Sequence, residues 1–282
     1  ITGGVSVAEH YEHDYVKPLS GNIVETCATM SWMQLTQQLL ELTGESKYAD
    51  AMERLMINHV FAAQDCESGV CRYHTAPNGR PDCCTASGHR IISMLPTFIY
   101  AEKGKEFYIN QYMPSQYTGK DFAFEITGNY PESENMQLTI VSEKAKNKTL
   151  NLRIPSWCEH PEIKVNGENI ADVKPGAYLK LSHKWTKGDK VDITFPMEEK
   201  WVSRSHHSKY VSYKLAGGEI MYKEEPTDRI PYAFVRGPIV YSLDMVWNKQ
   251  LCNDDVNMDQ DIRMNTTMKP TLINKPDNNM LG

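Results

Sequence analysis

Two short stretches of this sequence carry side chains that could bind a metal ion together. Glu25 and Cys27 stand two positions apart, and Cys83 and Cys84 are adjacent. Three thiolates and a carboxylate suit the tetrahedral coordination that Zn²⁺ prefers, and zinc would keep the thiols deprotonated at neutral pH. If one of these thiolates faced a cleft, it would be a candidate nucleophile. The alternative interpretation is ordinary core packing, because Cys is among the most buried residue types.

The elements that position these residues are predicted to be helices. Apolar residues recur at steps of three and four between Glu25 and Leu42, which predicts an amphipathic helix. Its apolar stripe consists of Ala28, Trp32, Leu35, Leu39 and Leu42. After Gly44 a second helix is expected, with Ser46 as its N-cap. Its apolar stripe consists of Tyr48, Met52, Leu55 and His59.

A third helix is predicted from about Thr85 to Ile99, with Pro96 as a kink or a break. The segment 64–82 before it is rich in Gly, Pro, Asn and Asp, which predicts a surface loop of the kind that often carries chemistry. Three helices cannot form a closed helical domain, because each must bury its stripe against further helices. We therefore expect that a larger N-terminal helical part is absent from this chain.

Beyond residue 105 the pattern changes to short alternating runs separated by turn residues. Regularly spaced short strands predict an antiparallel β-sandwich, so the expected fold class is α+β. The predicted strands are 107–112, 122–126, 136–141, 150–154, 178–181 and 191–195, with a hairpin at 165–168. The expected division is a helical part at 1–104, a β-sandwich domain at 105–250 and an irregular tail at 251–282.

Composition excludes several classes of partner. The net charge is −6 and no block of Lys or Arg is present, which argues against nucleic-acid binding. No apolar run approaches the roughly 20 residues of a membrane helix, so no membrane partner is expected. Seven cysteines are too few for a disulfide-built scaffold in 282 residues. Cys66 and Cys71 could close a small loop, but free thiols are favoured.

At Glu9, at the Glu-Thr-Cys run 25–27 and at the Cys-Cys pair 83–84, the sequence resembles a known family. It is similar to the β-L-arabinofuranosidases of glycoside hydrolase family 127 and of the related family 146. Further similar stretches are 2–10, 83–88, 152–157, 185–189 and 236–241. The resemblance runs from residue 1 to about 242, and the cysteine and glutamate runs are its specific part.

The resemblance implies a fold, a metal and catalytic roles. Residues 1–104 would be the C-terminal part of an (α/α)6 catalytic barrel that is followed by the β-sandwich. The implied zinc ligands are Glu25, Cys27, Cys83 and Cys84. Cys83 would be the nucleophile and Glu9 the acid/base. The resemblance thus implies a zinc-dependent retaining glycoside hydrolase that releases terminal β-L-arabinofuranose through a cysteine thioglycosyl intermediate.

Other candidate site residues stand next to these motifs. His10, beside Glu9, could bind a sugar hydroxyl or be a solvated loop residue, and Tyr73 and His74, in the loop before the Cys-Cys pair, could line the sugar pocket. The resemblance implies an arabinofuranoside-containing plant-wall glycan as the partner. Because the N-terminal half of the barrel has no counterpart here, we expect low activity from this chain alone. A periplasmic or secreted location is favoured over a cytoplasmic one, and the oligomeric state is left open.

Two other functions are compatible with the same residues. A structural zinc, closed by four protein ligands, would clamp the helices to the Cys-Cys segment, and the sandwich would bind carbohydrate or a partner protein. Alternatively, the enzyme acts on another pectic sugar. Replacing Cys83 by Ser separates the first alternative from catalysis, because a catalytic thiol is needed for turnover and a structural ligand mainly for stability.

Overall fold

The computed structural model describes residues 3–5, 24–64, 68–71, 83–142, 148–203, 209–212, 221–224 and 232–241. Its helices are α1 (Thr26–Thr43), α2 (Ser46–Leu55), a π-helical turn (Met56–Val60) and α3 (Cys83–Ile99). Among these described helices, none has both the length and the apolar character needed to cross a membrane. The predicted tail, 251–282, lies outside the described residues.

Helix α1 buries a different face from the one that its apolar stripe predicts. Met33 is fully buried and Leu40 nearly so, whereas Leu35 is 50% exposed and Leu42 is 81% exposed. The reason is that α1 packs against both α2 and α3, and the face between them includes polar Thr36. The expected stripe is therefore wrong as a description of the packed face, and its apolar side chains lie partly at the surface.

Helix α2 buries its predicted stripe but starts differently from the prediction. Met52, Leu55 and His59 are fully buried. Ser46 is the first helical residue and makes no N-cap bond; its hydroxyl instead donates to the carbonyl of Gly176 in the sandwich, at 2.5 Å. A hydrogen bond to the sandwich thus takes the place of the expected capping bond within the helix.

Helix α3 begins at Cys83 and continues through Pro96 to Ile99. The proline lies in the last turn with an exposed ring, so it removes one backbone bond near the end of the helix without breaking it. Because α3 begins at Cys83, Cys83 and Cys84 belong to its first turn and not to the preceding loop.

Two sheets share one hydrophobic core and form the sandwich. The first sheet has the order β1-β2-β6-β9, with β1 Tyr100–Lys103, β2 Glu106–Ile109, β6 Thr149–Ile154 and β9 Ala177–Ser182. The second has the order β3-β4-β5-β10-β7-β8, with β3 Ser115–Thr118, β4 Ala123–Gly128, β5 Asn135–Ile140, β10 Lys190–Thr194, β7 Glu162–Val165 and β8 Glu168–Asn169. The predicted hairpin and strands are confirmed, except that the strand expected at 107–112 corresponds to β2, which ends at Ile109. Asn166 and Gly167 form the hairpin turn with φ of 51° and 84°.

Two features of the sandwich differ from the sequence pattern. Strand β1 begins at Tyr100, directly after α3, and pairs with β2. Strands β2 and β6 pair in parallel, so the sandwich is not wholly antiparallel. The remaining strands are β11 Glu199–Ser203, β12 Lys209–Ser212, β13 Met221–Glu224, β14 Tyr232–Arg236 and β15 Ile239–Tyr241. They form the sheets β11-β14-β15 and β12-β13.

A buried ionic network joins α2 to the sandwich. The guanidinium of Arg153 on β6 donates to the carboxylates of Asp50 and Glu53 on α2. Glu53 also accepts from the indole N–H of Trp157 at 2.9 Å and from the hydroxyl of Tyr130. Burial raises the pKa of Tyr130 well above its usual value, with the Glu53 carboxylate adding to the shift, so this phenol remains a donor.

A second junction is made by Asn58 in the π-helical turn. Its side-chain amide donates to the carbonyl of Pro238 at 2.8 Å, and its carbonyl oxygen accepts from the backbone N–H of Val240 at 2.8 Å. The side chain thus pairs with the β14–β15 hairpin as a neighbouring strand would. Helix α2 and the π-helical turn, against which the cysteine-bearing helices α1 and α3 pack, are thus held to the β-structure at two separate points.

Candidate metal centre

The four residues singled out by type and spacing are brought together at the starts of two helices. Glu25 directly precedes α1 and Cys27 lies in its first turn, while Cys83 and Cys84 open α3. One ligand atom from each of the four lies within 4.8 Å of the others. Since α1 and α3 pack together, residues some 60 positions apart share one site.

The distances within the cluster fit a tetrahedral metal. The Sγ of Cys27 is 3.3 Å from that of Cys84 and 3.6 Å from that of Cys83. The Sγ of Cys84 is 3.7 Å from an Oε1 of Glu25. Sulfur ligands at about 2.3 Å from zinc would be about 3.8 Å from one another. The donor set and its spacing therefore fit a metal ion with little rearrangement.

The thiols of Cys27 and Cys84 need a bound cation to ionise near pH 7. Burial raises the pKa of the Cys84 thiol far above its usual value, with the neighbouring Cys27 thiol contributing, and burial also raises the pKa of the Cys27 thiol. Without a cation both thiols are neutral near pH 7. The N-termini of α1 and α3 add the positive ends of two helix dipoles, which favour negative charge here.

Exposure distinguishes the four ligands. Glu25 and Cys84 are buried and Cys27 is half-buried, whereas Cys83 is exposed. Cys83 is thus the sulfur that a molecule from solution can reach. This difference was not visible in the sequence, where the two adjacent cysteines are equivalent.

Ser87 is a further residue at the cluster that the sequence analysis missed. Its Oγ lies 3.2 Å from the Sγ of Cys27. The signal that could have identified it is helical spacing, because Ser87 stands four positions after Cys83 and therefore on the same side of α3.

The segment before α3 is held against the helix at Gly88. A Cβ at this position would lie 2.1 Å from the Cβ of Cys71 and 2.3 Å from its Sγ, so only glycine allows this approach. Thr85 donates to the carbonyl of Cys71 at 3.1 Å. Cys71 is a buried free thiol, as favoured; Cys66 lies outside the described residues.

The other predicted site residues cannot be placed relative to the cluster. The acid/base candidate Glu9 and the sugar-binding candidates His10, Tyr73 and His74 lie outside the described residues, and their roles stay predictions. Gly4 is described and packs on the start of α1, because a Cβ there would lie 2.0 Å from a methyl of Val24.

A second group of metal-type side chains is exposed and already has a cation. It comprises Glu159, His160 and Glu198. The Nζ of Lys200 lies 2.7 Å from a carboxylate oxygen of Glu159 and 3.8 Å from one of Glu198. The lysine offsets one of the two negative charges, so this exposed group is a weaker metal candidate than the cysteine cluster.

Comparison with known proteins places the chain among the glycoside hydrolases. Residues 1–97 match the family model of the β-L-arabinofuranosidase GH127 catalytic domain, and residues 106–197 match that of the GH127 middle domain. The chain belongs to glycoside hydrolase family 127, as the resemblance implied.

Individual relatives agree with this membership. The non-reducing end β-L-arabinofuranosidase of Bifidobacterium longum is 24% identical over 290 residues, covering 89% of this chain and 41% of the relative. The crystal structure of a GH127 β-L-arabinofuranosidase from Geobacillus stearothermophilus T6 is 27% identical with a TM-score of 0.65, covering 87% of this chain and 41% of that one. A third structure, a GH127 β-arabinofuranosidase, is 24% identical with a TM-score of 0.65, covering 85% and 40%.

The comparisons settle the broad fold and the class of the relatives. The mixed α+β architecture is confirmed, and the homologues are glycoside hydrolases. The chain spans about two fifths of the length of these relatives.

Proposed function

We propose that this protein is a zinc-dependent retaining glycoside hydrolase that releases terminal β-L-arabinofuranose, with Cys83 as its nucleophile. The observation that carries the proposal is a Glu and three Cys within 4.8 Å of one another, of which only Cys83 is exposed. The printed activity of the relatives supports the choice of sugar. The substrate would be an arabinofuranoside-containing plant-wall glycan.

The proposal includes the architecture of the whole enzyme. Helices α1–α3 would form the C-terminal part of an (α/α)6 barrel at 1–104, followed by the sandwich at 105–250. Support comes from the three described helices, too few to close a barrel, and from the share of the relatives that the chain spans. A periplasmic or secreted location remains part of the proposal.

The chemistry follows from the placement of one reachable sulfur. Zinc, when bound by Glu25, Cys27, Cys83 and Cys84, would hold the thiols in the thiolate form. The Sγ of Cys83 would attack the anomeric carbon of the sugar while the bond between that carbon and the leaving oxygen breaks. Glu9 would protonate the leaving oxygen. Glu9 would then accept a proton from water, whose oxygen displaces the Cys83 sulfur from the sugar.

Selective labelling of Cys83 tests this assignment. An epoxide analogue of L-arabinofuranose should alkylate Cys83 in the zinc-loaded chain, because its sulfur is ionised and exposed. Peptide mass spectrometry would identify the modified cysteine, and Cys83→Ser should remove the label while part of the zinc remains bound. No labelling of Cys83 in the zinc-loaded chain, or labelling of Cys27 or Cys84 instead, would contradict the assignment and favour the structural-zinc alternative.

The 282-residue chain alone is expected to hydrolyse an aryl β-L-arabinofuranoside very slowly or not at all. The three α-helices in the described part of the chain are too few to close a barrel, so we expect little of the sugar to be enclosed and oriented. Release of the phenol chromophore measures the rate. A specific activity comparable to that of the longer relatives would contradict the expectation that further barrel helices are required.

A further inference from the structure

Ser87 connects the metal cluster to a positively charged side chain. Its Oγ lies 3.2 Å from the Sγ of Cys27 and 3.3 Å from the Nη2 of Arg90. Ser87 is only 4% exposed, while Arg90 lies at the surface one turn further along α3. The contacts therefore lead from solvent to the cluster through one buried hydroxyl.

The direction of these hydrogen bonds depends on the protonation of Cys27. A guanidinium has only donors, so the Oγ of Ser87 must accept from Arg90. A Cys27 thiol donates to the same oxygen, and when that thiol ionises the hydroxyl proton of Ser87 is available to the sulfur. Once Cys27 is a thiolate it can only accept, and a donor polarised by a neighbouring cation gives the stronger type of bond.

The charge of the loaded cluster creates a need for such a donor. Three thiolates and one carboxylate carry a formal charge of −4, which a divalent ion reduces to −2. Partly buried negative charge of this size requires hydrogen-bond donors around the ligands. Arg90 places a positive charge next to the Ser87 hydroxyl, which itself contacts Cys27.

We propose that Ser87, polarised by Arg90, is a positioning residue that fixes Cys27 as a permanent metal ligand. The inference rests on the proposed zinc site and goes beyond it by assigning the two residues behind one ligand. It also separates the roles of the sulfurs, since Cys27 is restrained by a donor on its outer side and Cys83 is the exposed sulfur.

Zinc affinity of the full 282-residue chain tests the role of Ser87. Ser87→Ala should weaken zinc binding about 10- to 100-fold in competition with a chromophoric chelator. The matched control is Ser93→Ala on the same helix, whose exposed hydroxyl bonds only the backbone carbonyl of Arg90, and it should leave the affinity unchanged. Ser87→Thr, which keeps the hydroxyl, should recover most of the loss.

Two further measurements separate this role from simple packing. In the Co²⁺-loaded chain, Ser87→Ala should shift the thiolate-to-metal charge-transfer band, whereas Ser93→Ala should not. Arg90→Gln should weaken zinc binding in the parent chain but cause no additional loss in the Ser87→Ala background, because its effect passes through the hydroxyl.

The outcomes distinguish failure of this inference from failure of the proposed function. A parent chain that binds neither Zn²⁺ nor Co²⁺ would overturn the metal site and this inference together. A parent chain that binds zinc with the same affinity as Ser87→Ala would overturn this inference alone. Equal losses for Arg90→Gln in both backgrounds would remove Arg90 from it. Lower metal-free stability of Ser87→Ala than of Ser93→Ala, with an unshifted Co²⁺ spectrum, would assign Ser87 to packing.

Discussion

Replacing Arg153 by Met is expected to lower the free energy of unfolding by about 3–5 kcal/mol. The guanidinium is fully buried and donates to two carboxylates, those of Asp50 and Glu53, and to the carbonyl of Asn110 at 2.6 Å. Met fills a similar length with apolar atoms, so the loss comes from charge rather than from a cavity. Two buried carboxylates would remain without their cation.

Chemical denaturation followed by tryptophan fluorescence measures this loss. Arg236→Met is a suitable control, since Arg236 also lies on a strand but bonds the carbonyl of Glu132 at 3.1 Å and the carboxylate of Glu134 at 3.5 Å near the surface. We expect the control to cost no more than about 1 kcal/mol.

Neutralising the two carboxylates that lose their partner provides an internal check. Adding Asp50→Asn and Glu53→Gln to Arg153→Met should restore part of the stability, because neutral amides cost less to bury than unpaired carboxylates. Equal stability of Arg153→Met and Arg236→Met would show that the network contributes no more than a surface ion pair. In that case the junction of α2 with the sandwich would depend on packing and on the hydrogen bonds from Ser46 to Gly176 and from Gln111 to Ala49.

The network also shows where sequence patterning stops being informative. Alternation in the run 150–154 places Leu150, Leu152 and Ile154 on the inner face of β6 and would leave Asn151 and Arg153 in solvent. Both are buried, and helix α2 packs over Arg153 on the outer face of this strand. An alternation of apolar and polar residues along a strand identifies one buried face. It does not show that the polar face is buried as well.

The candidate centre was more accessible to prediction than the packing around it. Helical periodicity placed Glu25 and Cys27 at the start of one helix and Cys83 and Cys84 close to the start of another. The side-chain types suggested a metal site, and the resemblance to family 127 implied that all four residues meet in it. The contact of Ser87 with Cys27 depends on the crossing of α1 and α3, which no local pattern encodes.

The same limitation explains the error on α1. Its most apolar stripe was taken as the packed one, yet α1 turns a mixed face with Met33 and Thr36 towards α2 and α3. The hydroxyl of Thr36 bonds the carbonyl of Trp32 within the helix at 2.7 Å, which lets a polar residue occupy the interior. A hydroxyl that bonds within its own helix lowers the free-energy cost of burying a threonine. Hydrophobicity alone therefore does not predict that Thr36 is buried.

Removal of one buried ligand should have the largest effect on metal binding. Cys84→Ala is expected to weaken zinc binding at least about 100-fold, because losing one of four ligands forfeits roughly a quarter of the ~10–16 kcal/mol that such sites provide. Cys84 is fully buried, so water cannot readily take the vacated position. The zinc-induced rise in melting temperature should fall in parallel, since that rise reports binding to the folded chain.

The adjacent cysteine provides the matched comparison for this prediction. Cys83→Ala also removes one thiolate, but Cys83 is exposed, so a water molecule can complete the tetrahedron and the loss of affinity should be smaller. Chelator competition on both variants, with zinc content measured after dialysis, gives the two affinities. Equal losses would mean that the two sulfurs are equivalent ligands of a closed structural site. A larger loss for Cys84→Ala would support a centre in which one sulfur can be released from the metal for chemistry.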